Sequence, residues 1–233
     1  MKKDLDIVAI VPARAGSKRL PGKNMLPLAG KPLVQWTLDA AKESGVIDLI
    51  LVTSDDSAVL DLARQQGVMA IARPEDLATD TATTIDVVLH ALSTLESEGY
   101  TARRVMLLQP TSPLRTADDI KNAVTRMDDT SAASVVSVCE MEHSPLWANT
   151  LPADGNMDNF LPYELLNKRS QDLPTYYRLN GAVYLTIREA LACQSNFFVP
   201  HCFALVMPPL SSIDIDTAHD FAFAEFCLQQ KDC

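Results

Sequence analysis

Leu5-Asp-Ile-Val-Ala-Ile-Val-Pro-Ala-Arg-Ala-Gly-Ser-Lys-Arg-Leu-Pro-Gly-Lys-Asn24 divides into two physically different halves. Residues 5–11 are a short, nearly continuous apolar run, the form of a central parallel strand covered on both faces. Residues 12–24 are a basic loop bearing glycines, and they follow the run directly. In open α/β sheets ligands bind beyond the carboxyl ends of strands, so the junction puts this loop where a site belongs. Gly16, Ser17 and Gly22 let the backbone turn and bring amides close to an anion. Arg14 and Lys23 offer charge-assisted contacts to phosphoryl oxygens. Neither the Walker pattern nor the G-x-G-x-x-G fingerprint is present. A basic surface loop joining strand to helix is the plainer reading. Position and charge density favour phosphate.

Outward from this point, strand and helix patterns alternate. Apolar runs recur at 49–53, 68–72, 105–108 and 133–138, with helical stretches at 33–44, 57–65, 85–98 and 116–127 between them. Ser57 and Thr116 stand as candidate caps. The alternation predicts an α/β fold with an open, mostly parallel sheet in one unit over residues 1–233. After Cys139 the pattern breaks. Residues 143–177 are polar and rich in Pro, Asn and Asp, and a structureless loop of that length is unusual, so an excursion from the sheet is expected. Strands at 182–186 and 203–207 and a closing amphipathic helix at 217–230 complete the reading.

Charge narrows the function. The net charge is −10, yet residues 7–38 hold no Asp or Glu and carry +5 from Arg14, Lys18, Arg19, Lys23 and Lys31, leaving −15 elsewhere. Such a patch can select a small polyanion while the remainder repels large ones, so neither nucleic acid nor anionic membrane is an expected partner. No apolar run approaches the roughly 20 residues of a membrane span. Met1-Lys2-Lys3 leads at once into Asp4 and Asp6, unlike a signal peptide. The five cysteines are scattered without C-x-x-C spacing, which argues against a disulfide framework or zinc site and fits a reducing cytoplasm. The four histidines show no metal-ligand spacing and are read as structural.

Two later segments carry chemistry. Gln109 ends an apolar strand and Thr111-Ser112-Pro113 follows, either a Pro-rich turn or a polar lip. Asp214 and Asp216 lie at i and i+2, which in an extended chain project from one face. Two converging carboxylates repel each other unless a cation lies between them, and Mg²⁺ accepts one or two carboxylates with phosphate oxygens and water. Taken alone, the D-x-D reads better as a cap of the last helix, made by Asp216 or Thr217. Asp220 reads as a first-turn residue favoured by the helix dipole.

Residues 13–24, Leu108-Gln-Pro-Thr-Ser-Pro-Leu-Arg115, Arg178-Leu-Asn-Gly-Ala-Val-Tyr184 and Ser212-Ile-Asp-Ile-Asp-Thr217 together resemble, in order, the motifs of CMP-sialic acid synthetases and their legionaminic and pseudaminic acid relatives. Arg73-Pro74 with Asp80-Thr-Ala-Thr-Thr84 is similar too. Enzymes for the eight-carbon Kdo share a similar first loop, but the Gln-Pro-Thr-Ser-Pro segment is not expected in them. The resemblance implies a Rossmann-like nucleotidyltransferase that attaches a nine-carbon sugar acid to CMP from CTP with Mg²⁺, as a homodimer joined through the insertion. It implies Arg14 and Lys23 on the triphosphate, Asn24 and Arg73 on the nucleotide, and Thr83 and Thr84 lining the cytidine pocket. Asp214 and Asp216 would hold the metal. Gln109, Asn180, Arg169 and Arg178 would meet the sugar acid, the two arginines as candidates to hold its carboxylate, with Tyr184, Phe197 and Phe198 around its acyl group or simply in the core. One departure stands out: Trp147 follows Glu142-His-Ser-Pro-Leu146 where the family often carries a lysine that reaches the partner subunit's site. N-acetylneuraminic and legionaminic acid both remain open as substrates. A sugar-1-phosphate nucleotidyltransferase is the rival enzyme.

Overall fold

In the computed structural model, residues 3–231 are described; Met1, Lys2 and the last of the five cysteines, Cys233, lie outside the described residues. Strand β1 (Lys3–Pro12) is the axis of the fold. From Ile7 onward its side chains alternate between two cores. Ile7, Ala9 and Val11 enter one layer with Val34, Leu38, Ile120 and Ala123. Leu5, Val8 and Ile10 enter the other with Val88, Leu92 and Leu95. A strand buried on both faces needs apolar residues at every position, which is why residues 5–11 lack the alternation of a half-exposed strand.

After β1 come a two-residue hairpin, β2 (Pro27–Leu28) and β3 (Lys31–Pro32), then α1 (Leu33–Ser44), β4 (Leu49–Ser54), α2 (Ser57–Gln65) and β5 (Met69–Ala72). The chain continues through α3 (Thr84–Ser97), β6 (Tyr100–Leu107), α4 (Ala117–Thr130) and β7 (Ser134–Glu140). It ends with β8 (Tyr177–Ile187), α5 (Arg188–Gln194), β9 (Cys202–Val206) and α6 (Ala218–Lys231). The main sheet runs β5-β4-β1-β6-β8-β7-β9. All neighbours are parallel except β8, which is antiparallel to both β6 and β7. The chain winds outward from β1 to β5 and then returns to β6 on β1's other side. This reversal opens a crevice at the carboxyl ends of β1 and β6.

The expected strands and helices are all present, with shifted ends. Strand β6 starts at Tyr100 rather than 105, because its Arg103 and Arg104 pair with Asp6 of β1 and so keep polar residues within the ladder. Helix α2 is capped by Asp56, whose Oδ1 accepts from Ala58 N at 2.9 Å, not by Ser57. Helix α4 is capped by Thr116 in a reciprocal box with Asp119. Helix α5 was not expected. It has seven residues and no side-chain cap, so the usual start signal is missing. Helix α6 buries Ala224 and Leu228 against Leu28, Leu33 and Ile215, yet Phe223 and Phe226 face outward, so its apolar residues do not form one stripe.

The segment between β7 and β8 leaves the sheet as expected. Its local order is three 3₁₀ turns, Pro145–Trp147, Tyr163–Leu165 and Ser170–Asp172. Leu151, Met157, Tyr163 and Leu166 of this segment are exposed. Among the described residues, no helix is long and apolar enough to cross a membrane.

Candidate active site

The crevice at the carboxyl ends of β1 and β6 deepens into a cavity of about 620 Å³. Into it face Arg14, Lys23 and Asn24 from the loop after β1, Gln109 and Thr111 from the turn after β6, and Asp214 and Asp216 before α6. These segments are far apart in sequence, and the switch in strand order joins them.

The basic loop is fastened from behind. Ala13 N donates to Thr53 O at 3.0 Å and Ala15 N to Asp55 Oδ1 at 2.8 Å, so the end of β4 holds the loop's first residues. Asn24 is buried and donates to Arg14 O at 2.9 Å, which closes the loop on itself. Gly22 has φ of 65°, a left-handed conformation that suits glycine at the turn. Gly16 has no such demand. It does not border the cavity, and a Cβ there would meet nothing within 4 Å.

Each loop cation already holds a carboxylate. Arg14 Nη1 and Lys18 Nζ reach opposite oxygens of Asp80 at 2.8 and 2.5 Å. Arg19 Nη1 and Lys23 Nζ reach opposite oxygens of Asp216 at 2.9 and 3.3 Å. Lys23 Nζ also donates to Ile215 O at 2.7 Å, tying the loop to the chain before α6.

Asp214 and Asp216 both face the cavity while Ile215 between them is buried, as an extended i, i+2 pair requires. The helix cap is made by Thr217 and Asp220, whose Oδ2 accepts from Thr217 N at 2.7 Å, so Asp216's carboxylate is not used there. Asp214's surface is open to the cavity, yet protein crowds it from the walls. That partial desolvation, with the charge of Asp216 adding to it, holds its pKa above the usual carboxylate range against the opposing pull of Thr111 and Lys23. A carboxylate in this state gains from a cation. Among the described residues no set of three acidic, His or Cys side chains converges, so a cation here would complete its shell with ligand oxygens and water, as Mg²⁺ does.

Arg73 lines the cavity and is buried; its Nη2 donates to Thr53 O at 2.9 Å, while its Nε has no partner among the described residues. Thr84 borders the cavity as well. The Thr83 side chain is used otherwise: its Oγ1 donates to Asp86 Oδ2 at 2.7 Å and accepts from Asp86 N at 3.2 Å, capping α3. Ser17 is at the rim.

The residues expected around the sugar separate. Gln109 is in the cavity. Asn180 is buried behind it, bonded to Ser137 Oγ at 2.6 Å and Ser212 Oγ at 2.9 Å. Arg178 lies toward Glu142 at 3.6 Å, and Arg169 forks onto Asp172 at 2.9 and 3.0 Å on the exposed insertion. Neither arginine borders the cavity. Phe197 is in the core against Tyr184, ring centroids 5.4 Å apart, and Phe198 is exposed. Burial and then the charge of Asp214 push the Tyr184 phenol up, so Tyr184 lies within electrostatic reach of Asp214.

Three supporting residues escaped the sequence reading. Asp55 follows an apolar strand, the one signal that marked its place. Asp80 was quoted without a role. Arg115 is buried, donates to Gln109 O at 3.2 Å, Ala182 O at 2.8 Å and Thr37 Oγ1 at 2.6 Å, and burial lowers its pKa to about 9 against the opposing charge of Asp119.

A family model described as cytidylyltransferase matches residues 8–201. The chain is 38% identical over 227 residues to a CMP-N,N'-diacetyllegionaminic acid synthase of Legionella pneumophila, covering 94% of both chains. It is 34% identical over 233 residues to an N-acylneuraminate cytidylyltransferase of Streptococcus agalactiae, covering 97% of this chain and 55% of that one, so it spans about half the streptococcal protein. In structure it is similar to a CMP-2-keto-3-deoxy-manno-octonic acid synthetase solved with CTP, with a TM-score of 0.72, 18% identity, and 97% and 99% of the two chains covered. That likeness is one of fold.

Proposed function

The chain belongs to the cytidylyltransferase family, and we propose that it transfers CMP from CTP to a nine-carbon sugar acid, releasing pyrophosphate. The observation that carries this reading is the meeting, in one cavity, of a basic loop with a pair of carboxylates. A triphosphate needs both: cations for its oxygens and a carboxylate pair for its metal. The unpartnered Nε of Arg73 supports a polar ligand at the nucleotide end.

In this reaction the anomeric hydroxyl of the sugar attacks the α-phosphorus in line and pyrophosphate leaves. Arg14 and Lys23, with Lys18 and Arg19 beside them, neutralise charge on the transferring and leaving phosphates. Gln109 and Thr111 orient the sugar acid from the opposite wall. Asp214 and Asp216 would hold Mg²⁺, which when bound supplies further charge neutralisation at phosphate oxygens. No covalent enzyme intermediate is required.

The similarity to the Legionella enzyme favours a legionaminic acid as the first acceptor to try, with N-acetylneuraminic acid second. The exposed apolar residues of the insertion, Tyr163 and Leu166 among them, support assembly of two copies through that segment. Light scattering distinguishes one chain from two. The unpaired thiols of Cys139, Cys193, Cys202 and Cys227 suit a reducing cytoplasm. The test of function is pyrophosphate release from each of the four nucleoside triphosphates with a panel of nine-carbon acids and sugar 1-phosphates. Turnover with CTP and an acid is expected. Turnover only with a sugar 1-phosphate, or none with any acid, overturns the reading.

A further inference from the structure

Gly181 lies inside β8 with φ of 73°, beside the shift in register between Val136 and Val138 of β7. A Cβ built there would overlap Gln109 Oε1 and would lie 3.6 Å from Gln109 Cδ and 3.7 Å from Ser112 Oγ. At every other glycine of the chain it would meet nothing within 4 Å. The Gln109 side chain therefore fills the space that a side chain at 181 would need.

The same turn holds the carbonyls on both sides of Gly181. Ser112 Oγ donates to Asn180 O at 3.4 Å, and Arg115 Nη1 donates to Ala182 O at 2.8 Å. Arg115 also holds Gln109 by its carbonyl. The hollow and the side chain that fills it are thus locked in register by buried bonds. The Gln109 carboxamide itself has no hydrogen-bond partner among the described residues. Shape alone places it, and its donor and acceptor are left for a ligand.

We propose that Gly181 is a positioning residue for the acceptor half of the site: its missing side chain is a socket that fixes the Gln109 carboxamide against the sugar acid. This rests on the reading of the Gln109 wall as the acceptor side. An added methyl meets the flexible end of a side chain rather than backbone, so it displaces the carboxamide. The left-handed φ strains any L-residue at 181 whatever stands at 109, and a double-mutant cycle separates the two effects.

The experiment compares wild type, Gly181→Ala, Gln109→Ala and the double variant, reading KM for CTP, KM for the acid turned over, kcat and melting temperature. Gly181→Ala is expected to raise the acid's KM about tenfold and to change that for CTP by less than about twofold. In the Gln109→Ala background the same substitution should change the acid's KM by less than about twofold. Equal effects in both backgrounds overturn the socket, leaving only backbone strain. An unchanged acid KM in Gln109→Ala itself overturns the reading beneath, and the inference with it. If the alanine variant does not fold, the wild type still decides: a nuclear Overhauser contact between the Gln109 side-chain amide and the Gly181 α protons is expected in the ligand-free protein. Its absence overturns the proposal.

Discussion

The two walls of the cavity are held in opposite ways. On the basic wall, residues 13–24, the cations that reach inward are paired with the protein's own carboxylates, Arg14 and Lys18 with Asp80, Arg19 and Lys23 with Asp216. On the other wall, residues 109–115, the side chains are neutral at the surface and are fixed from behind by the buried bonds of Ser112 and Arg115. A triphosphate at the first wall trades one set of charge pairs for another, so its affinity is a difference and falls with salt. A ligand at the second wall meets groups already in place. The same cavity is exchangeable on one side and preorganised on the other.

The largest effect should come where the walls meet the acidic pair. Asp214→Asn with Asp216→Asn should lower turnover by at least about a hundredfold with the fold intact, read by steady-state kinetics and circular dichroism. Asp214→Asn alone should also raise the melting temperature at neutral pH. A carboxyl whose folded pKa is raised contributes stability below its unfolded pKa and loses it as pH rises through the folded value. The charged form is thus a cost at neutral pH that Asn removes, and the gain should vanish toward about pH 3. A gain that persists there contradicts this assignment.

Next in size, Arg14→Ala and Lys23→Ala should each weaken CTP by about 2 kcal/mol, roughly thirtyfold, without matching loss of acid affinity. Calorimetry at two salt concentrations checks both halves of the statement. If salt leaves the wild-type affinity for CTP unchanged, the exchange picture fails. A smaller effect of opposite sign is expected from Asp80→Asn. Freed of their carboxylate, Arg14 and Lys18 should bind CTP a few-fold more tightly, since solvent-exposed pairs hold their partners only weakly. Weaker binding would make Asp80 a ligand-contacting group instead. Smallest for the chemistry is Thr83→Ala, which removes the cap of α3. It should cost about 1 kcal/mol of stability in denaturant titration, with the KM for CTP nearly unchanged.

What was legible in the sequence follows from how local each signal is. Residues 5–11 announced a central strand because burial on both faces leaves a continuous apolar run. Thr116 announced a cap because the cap is made with Asp119, three residues away. Arg14, Lys23, Asp214 and Asp216, which line one cavity, stood out through the ordered motifs that carry them, since a basic strand-end loop or a D-x-D before a helix has a plain structural use as well. Asp55, Asp80 and Arg115 act on groups far off in the chain, Arg115 on Thr37 and Ala182, and no local pattern marks such a partner. Gly181 is the limiting case. Its positive φ already favours glycine, and the placement of Gln109 against it adds a steric demand that no local pattern shows.

The antiparallel strand β8 also sets an order of events in time. Residues 3–107 supply β5, β4, β1 and β6, a parallel half-sheet that can form as soon as that length of chain is available. Strand β6 remains an open edge until β8 arrives, although Val105, Met106 and Leu107 are among the most buried residues of the finished protein. Strand β7, made earlier than β8, has no place in the sheet before it, because β8 is its only link to β6. A growing chain thus carries a sticky apolar edge and an unplaced strand through the whole length of the insertion, the condition in which chains pair with the wrong partner. Pulsed hydrogen exchange during refolding should show amides of β1 and β4 protected before those of β7 and β9, and simultaneous protection would argue against this sequence of steps.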